Sequence, residues 1–336
     1  MIVDMSKSRP KDSVYLSILV PMHNELSNLD TLFQRLEGVL LSITEDYEMI
    51  CVNDGSKDET LQGLIGHHRR NPRIKIINLS RNFGKEVALS AAIDYANGQA
   101  IVPIDADLQD PPELITEMIK LWNHGFDVVY AVRQSRKGET FLKRLTAGAF
   151  YRCMKRLTPL HIPPDTGDFR LMDRKVVEAL KQLPERKRFM KGLFAWVGFQ
   201  QTSISFVREP RYRGRTNWNY WKLWNFALDG ITAFSVRPLK IWSYIGLLIS
   251  LVSIIYASFL IFRTLLIGID VPGYASLMVA VLFLGGIQLI TLGIIGEYLS
   301  RIFEEVKGRP LYLVRDFYGF GDNHQLIYPE VIKEKC

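Results

Sequence analysis

The sequence predicts an α/β domain on a doubly wound, largely parallel sheet, followed by a membrane anchor of two helices. Three observations lead there. From Val14 to Val132, short apolar runs rich in Val and Ile alternate with segments of helical spacing, the pattern of parallel strands joined by crossover helices. Polar clusters recur where the apolar runs stop, and open α/β sheets place their ligands at that edge. After Leu239 the composition changes, and two long uncharged stretches follow.

Val14 to Pro21 reads as a first strand, ending at Asn24-Glu25, and Leu29, Leu32, Phe33, Leu36, Val39 and Leu40 fall at helical spacing between Ser27 and Leu41. Glu48 to Asn53 is a second strand with Asp54-Gly55-Ser56 as its exit turn, and Glu59 to His68 a helix. Ile74 to Leu79 is a third strand, and Lys85 to Ala96 a helix closed by Asn97-Gly98. Ala100 to Ile104 is a fourth strand, Pro112 to His124 a helix ended by Gly125, and Asp127 to Val132 a fifth strand. The tail holds one further candidate, Leu311 to Val314.

The fourth strand ends in Asp105-Ala106-Asp107. Two carboxylates on one turn make a hard-oxygen site suited to Mg2+ or Mn2+ carrying a diphosphate. An ordinary Asp-rich turn has the same composition. Convergence favours the site: Pro21 to Glu25, Asn53 to Ser56 and Asp105 to Asp107 all sit at strand ends, hence on one sheet edge. There Asp54 is able to accept the imide N–H of a uracil, and Asn24 and Glu25 to hold base or ribose.

The formal net charge of +7 fits either nucleic acid or an anionic membrane and anionic substrates. The apolar stretches favour the second, and no common nucleic-acid motif is present. Between Lys240 and Arg263 lie 22 residues without a formal charge, and between Asp270 and Glu297 lie 26; about 20 helical residues cross a bilayer core. Gly285, Gly286, Gly293 and Gly296 suit close helix packing in lipid. Arg237 and Lys240 precede the first stretch, and Arg301, Lys307, Arg309 and Arg315 follow the second. The positive-inside rule then puts both ends in the cytosol. Residues 1 to 11 show no signal-peptide core, and Cys51, Cys153 and Cys336 offer neither a disulfide framework nor zinc spacing. Phe141 to Leu157 and Trp218 to Phe234 mix basic, aromatic and apolar residues, as interfacial helices do and as some ordinary packing helices do.

Taken in order, the motifs Val-Pro-x-x-Asn-Glu, Asn-Asp-Gly-Ser-x-Asp, Ser80 to Lys85, Asp105 to Pro112 and Thr166 to Met172 resemble the family 2 glycosyltransferases. Within them the chain is similar to polyprenyl-phosphate glycosyltransferases related to dolichyl-phosphate mannose synthase. The apolar C-terminus points to the GtrB-type bactoprenol glucosyltransferases. The resemblance spans residues 14 to about 309. It implies a GT-A (Rossmann-like) catalytic domain over 1–210, an interfacial region over 211–237, two transmembrane helices over 238–298 with an external loop at 263–270, and a cytosolic tail over 299–336. It implies transfer of a hexose, with glucose from UDP-glucose favoured, to undecaprenyl phosphate at the cytosolic face of the cell membrane. Mannose, galactose, N-acetylglucosamine and aminoarabinose are the alternative sugars. It also implies a homo-oligomer, a tetramer in similar proteins.

Carried over by position, the resemblance assigns Pro21, Asn24, Glu25, Asp54 and Ala106 to the nucleotide-sugar. It assigns Asp105, Asp107 and Gln109 to the metal and diphosphate, Arg133, Arg211 and Arg215 to phosphate groups of donor or acceptor, and Asp168 to the catalytic acid position. In Arg211 to Trp218 the chain departs from the family's Arg-x-x-Gly-x-Ser-Lys-Tyr, with Asn217 at the usual Lys. Lys85 and Arg81 either reach phosphate or cap the helix that follows. A phosphate monoester is mostly dianionic near neutral pH, its second pKa being about 6, so Asp168 has little proton to remove and is expected to position groups instead. A processive polysaccharide synthase is a second reading, disfavoured because no Gln-x-x-Arg-Trp segment occurs. A non-catalytic membrane scaffold is a third, disfavoured by the intact acids.

Overall fold

The computed structural model describes residues 14–134, 163, 166–183, 185–186, 188–207, 235, 237–267 and 273–321. The elements are β1 (Leu16–Met22), α1 (Leu29–Ile43), β2 (Tyr47–Asn53), α2 (Thr60–Arg70), β3 (Ile74–Leu79), α3 (Lys85–Tyr95), β4 (Ala100–Pro103), α4 (Leu114–Asn123), β5 (Val128–Arg133), β6 (Thr166–Asp173), α5 (Arg174–Lys181), α6 (Met190–Trp196), β7 (Gln201–Phe206), α7 (Arg237–Ile267), α8 (Tyr274–Val306) and β8 (Val314–Tyr318).

One sheet of eight strands runs in the order β7-β5-β6-β4-β1-β2-β3-β8. β1 pairs in parallel with β2 and β4, β2 with β3, and β5 with β7. β6 runs antiparallel to both β4 and β5, and β8 antiparallel to β3. The five strands read from the sequence are present within two residues of their expected ends. The tail strand is a correction: it lies at Val314–Tyr318 rather than 311–314, because pairing along β3 sets its register.

The central strands are buried on both faces, so their apolar runs are continuous rather than alternating. Alternate residues feed two cores. Leu16, Ile18, Val20, Met49 and Cys51 pack with Leu32, Phe33, Leu36, Leu64 and Met118 of α1, α2 and α4. Leu19, Ile50, Val52 and Ile77 pack with Leu89, Ala92, Val177, Leu193 and Phe194 of α3, α5 and α6. Truncating a fully buried Leu in such a core typically costs about 2–5 kcal/mol.

Two long helices follow. α7 extends past Arg263 to Ile267, and α8 continues to Val306, beyond Glu297. Among the described residues one stretch, Val279–Val306 in α8, is long and apolar enough to cross a membrane, and none of it is buried within the protein. The apolar stretch found in α7, Tyr244–Tyr256, is shorter. The expectation of two spans is therefore matched by two helices but by one full-length apolar stretch. The candidate interfacial segments 141–157 and 218–234, with Arg211 and Arg215, lie outside the described residues.

Candidate functional site

The site lies at the edge where β1, β2, β4 and β5 end. β6 runs the other way, so its first residues, Thr166 to Asp168, start at that same edge, with Thr166 opposite Val132 in the register. One edge thus collects the strand ends and the catalytic-acid candidate.

On the β1–β2 side the polar groups are tied to backbone. Asp54 is 3% exposed, and its carboxylate accepts the N–H groups of Phe83 at 2.6 Å and Gly84 at 2.9 Å. Gly55, at φ +60, makes room for that loop: a Cβ there would collide with the backbone of Arg81 and Asn82. Asn24 holds φ 57, a left-handed conformation that Asn tolerates. Its backbone N–H donates to Ser56 Oγ at 3.0 Å and its Oδ1 accepts from the Lys57 N–H at 2.8 Å. Glu25 accepts from Asn28 Nδ2 at 2.6 Å. Pro21 is the penultimate residue of β1.

The acid turn follows β4. Asp105, Asp107 and Gln109 are partly exposed while Ala106, Leu108 and Asp110 between and after them are buried. Leu108 sits at φ 58, a conformation costing about 1–3 kcal/mol for such a residue and concentrated at functional turns. The Gln109 N–H donates to Asp107 Oδ1 at 3.2 Å. Asp105 and Asp107 are hard-oxygen donors. Among the described residues no group of three or more His, Cys, Asp or Glu forms a closed cation site. Two carboxylates are a donor set of the size an ion such as Mg2+ takes from a protein, the rest of its shell being water and substrate phosphates.

Sequence reasoning left Lys85 undecided between phosphate and helix capping, and the structure places it at the centre. Its Nζ lies 2.6 Å from Asp105 Oδ1 and 2.7 Å from Asp168 Oδ2, bridging the two acids. Lys85 is the first residue of α3, behind Gly84 at φ 99. A cation at a helix N-terminus opposes the macrodipole, and that misfit is the sequence signal that could have singled it out. Burial works against the Asp168 carboxylate, but Lys85, then Lys191 and Arg170, hold it down to about 2. Burial also disfavours the Lys85 ammonium, yet Asp105 and Asp168 raise its pKa well above the usual lysine range. Glu86 next to it is pushed up to about 7, by burial first and then by Asp168.

On the β5–β6 side charged groups are less completely satisfied. Arg133 reaches Asp110 only at 3.9 Å. Its guanidinium lies where a Cβ on Gly167 would be 3.1 Å away, so the glycine leaves it space. Arg170 is 5% exposed, donates to the Gly167 carbonyl at 2.9 Å and stacks 3.9 Å over the Phe194 ring. Among the described residues, Asp168 Oδ1, Arg133 Nε and Arg170 Nε are buried without a hydrogen-bond partner. Each such atom costs about 1–3 kcal/mol, and more when the group is charged. Lys191 of α6 was not singled out by sequence; it lines a small recess with Tyr130, Thr166 and Arg170. Of the expected site residues the described structure brings Asp105, Asp107, Gln109, Arg133 and Asp168 to one edge with Pro21, Asn24, Glu25, Asp54 and Ala106.

Known proteins resemble this chain along nearly its whole length. The profile of Glycosyl transferase family 2 matches residues 17–181, and that of the GtrB C-terminal hairpin matches residues 237–302. An uncharacterized glycosyltransferase of Synechocystis sp. is 66% identical over 91% of this chain and 96% of its own length. The uncharacterized glycosyltransferase YkcC of Bacillus subtilis is 49% identical over 91% and 95%. The SfII prophage-derived bactoprenol glucosyl transferase of Shigella flexneri is 44% identical over 89% and 97%. Nearly full-length identity at these levels, over both the sheet and the hairpin, places the chain in the family 2 glycosyltransferases.

Proposed function

We propose that this glycosyltransferase transfers glucose from UDP-glucose to undecaprenyl phosphate at the membrane surface. The observation that carries the reading is the 44% identity, over nearly the whole of both chains, to a bactoprenol glucosyl transferase. The charged groups at the sheet edge are consistent with it, because both substrates are phosphates.

In this reading a phosphate oxygen of the lipid attacks the anomeric carbon. The bond from that carbon to the diphosphate breaks, and its electron pair leaves with the nucleoside diphosphate. A single displacement inverts the anomeric configuration. Asp105, Asp107 and Gln109 would hold a divalent ion, Mg2+ or Mn2+. When bound, the ion supplies charge neutralisation for the leaving diphosphate. Pro21, Asn24, Glu25, Asp54 and Ala106 form the nucleotide side, and Arg133, Arg211 and Arg215 serve phosphate. Lys85 ties Asp105 to Asp168.

Asp168 acts by position rather than as a base. An effective general base has a pKa near the working pH, whereas Asp168 is held near 2 by Lys85 and Lys191 against its burial. The dianionic acceptor also needs no deprotonation. An Asp168→Asn variant should therefore lose activity equally at pH 6 and pH 8.5. Recovery at the higher pH would restore the base role.

The cytosolic catalytic domain (1–210), the interfacial region (211–237), a two-span hairpin (238–298) and a cytosolic tail (299–336) complete the reading. Both termini lie in the cytosol by the distribution of Lys and Arg. Two helices bury little of each other, so a homo-oligomer in the membrane is part of the proposal. The test is mass spectrometry of lipids after incubating purified protein with undecaprenyl phosphate, Mg2+ or Mn2+, and mixed sugar nucleotides. A hexosyl-phosphoryl lipid formed from UDP-glucose supports the reading. A different sugar on the lipid corrects the donor, and no glycosylated lipid at all rejects it.

A further inference from the structure

We infer that Lys191, at the start of α6, is a ligand for the phosphate of the lipid acceptor, closing with Arg170 a cationic recess near Arg133 and Asp168. The inference rests on the proposed acceptor being a phosphate monoester, and it adds a residue and an element that sequence reasoning did not assign.

The charge arrangement carries it. Lys85 is paired with Asp105 and Asp168, so it has little charge to spare. Lys191, by contrast, makes no ion pair or hydrogen bond among the described residues. Its charged neighbours are Asp168 and Glu86 on one sign and Arg133 and Lys85 on the other. Arg170 and Arg133 each keep a buried Nε without a partner among the described residues. Two cations, Lys191 and Arg170, line one recess and a third, Arg133, is a charged neighbour of Lys191; together they call for an anion with several acceptor oxygens. A phosphate dianion matches this set: guanidinium groups present planar forks and a lysine supplies a point charge.

Two contacts fix the recess. Phe194, one turn along α6 from Lys191, stacks on Arg170, and the Met190 N–H donates to Glu86 Oε2 at 3.2 Å. A third ties it to the anchor: the Arg186 N–H, just before α6, donates to Glu305 Oε1 of α8 at 2.8 Å. Glu305 lies in the last turn of the helix that carries the apolar stretch Val279–Val306. The strap bearing Lys191 is therefore bonded to the membrane helix from which a lipid headgroup would arrive.

The donor diphosphate is the other source of phosphate oxygens, and the test separates the two. Full-length protein in detergent is assayed with UDP-glucose and farnesyl phosphate, and UDP binding is measured with Mn2+. Lys191→Ala should raise the acceptor KM at least tenfold and change UDP affinity less than twofold, and Lys191→Arg should recover most of the loss. Farnesyl phosphate should raise the thermal midpoint of the parent protein but not of Lys191→Ala, a readout independent of turnover. Lys191→Gln serves if the alanine variant unfolds. An acceptor KM within twofold of the parent, or a loss confined to UDP affinity, overturns the inference. A parent that binds farnesyl phosphate through Lys191 yet forms no glycosyl lipid leaves this inference standing and rejects the proposed function.

Discussion

The two halves of the sheet edge hold their polar groups in different ways. At the ends of β1 and β2, Asp54, Asn24 and Glu25 are engaged by loop N–H groups and a neighbouring amide. At the ends of β5 and β6, Arg133, Asp168 and Arg170 each retain a buried atom of a charged group with no partner among the described residues, whereas the atoms so left on the β1–β2 side, Asn28 Oδ1 and Asn53 Oδ1, belong to neutral amides. The first half is a shaped cradle that keeps its form without a ligand. The second holds buried charge that Lys85 and the Gly167 carbonyl satisfy only in part, a cost that a bound anion would offset further. Lys85 stands between them, its ammonium on Asp105 after β4 and on Asp168 at the start of β6.

The sharpest way to break this contrast is at the acid turn. Asp105→Asn removes a proposed metal ligand of the donor side and half of the Lys85 bridge, and should lower kcat by roughly 10³-fold, the upper range for losing one group that stabilises leaving charge. Steady-state glycosyl-lipid formation measures it, and a loss under tenfold would mean that Asp105 only shapes the turn. Lys85→Met comes next, with a fall in kcat of about 10²-fold. Lys85→Arg should restore part of it if the bridge, and not helix capping, is what matters.

Glu86 sharpens the contrast through pH. Its folded pKa is raised from 4.5 to about 7 by burial and by Asp168, against the pull of Lys85 and Lys191. A raised pKa in an acid means that folding favours the protonated form. Its favourable contribution is complete below pH 4.5 and lost as pH rises through 7. Glu86→Gln should therefore match the parent at pH 4.5 and exceed it by about 3 kcal/mol at pH 8, a tenfold change in proton affinity being worth about 1.4 kcal/mol. Thermal midpoints at the two pH values check this, and an equal difference at both would remove Glu86 as a buried acid. The smallest effect is at the tail. Tyr312 donates to Asp94 Oδ2 at 2.8 Å, and Tyr312→Phe should cost about 1 kcal/mol of stability with kcat unchanged. A fall in kcat instead would show that the β8 connection reaches the site.

The same contrast explains what was legible in the sequence. The parallel half announced itself, because fully buried strands such as Ile18 to Val20 and Met49 to Val52 must be apolar and their exits must be polar. Asp105 and Asp107 were found for that reason. β6 was not read as a strand, since it carries Asp168 and Arg170 within a buried run, and charged residues there break the strand pattern. α6 spans seven residues, Met190–Trp196, too few to show a period. Lys191 escaped with α6, and Lys85 because its role depends on pairing across the fold: it meets an acid 20 residues away on β4's exit turn and another at the start of a strand inserted against the sheet direction. Where local rules failed, the residues are those assigned to the proposed site, as expected when function overrides local preference.

The division of the edge is tested most directly by one crossed measurement of donor and acceptor KM in two variants. Asn24→Gly keeps the left-handed turn without strain and removes an amide from the cradle. Lys191→Ala removes a cation from the recess. The account predicts a crossed result, with Asn24→Gly raising the donor KM severalfold and leaving the acceptor KM unchanged, and Lys191→Ala doing the reverse. Equal rises in both constants for either variant would contradict a site divided between a donor cradle and an acceptor recess.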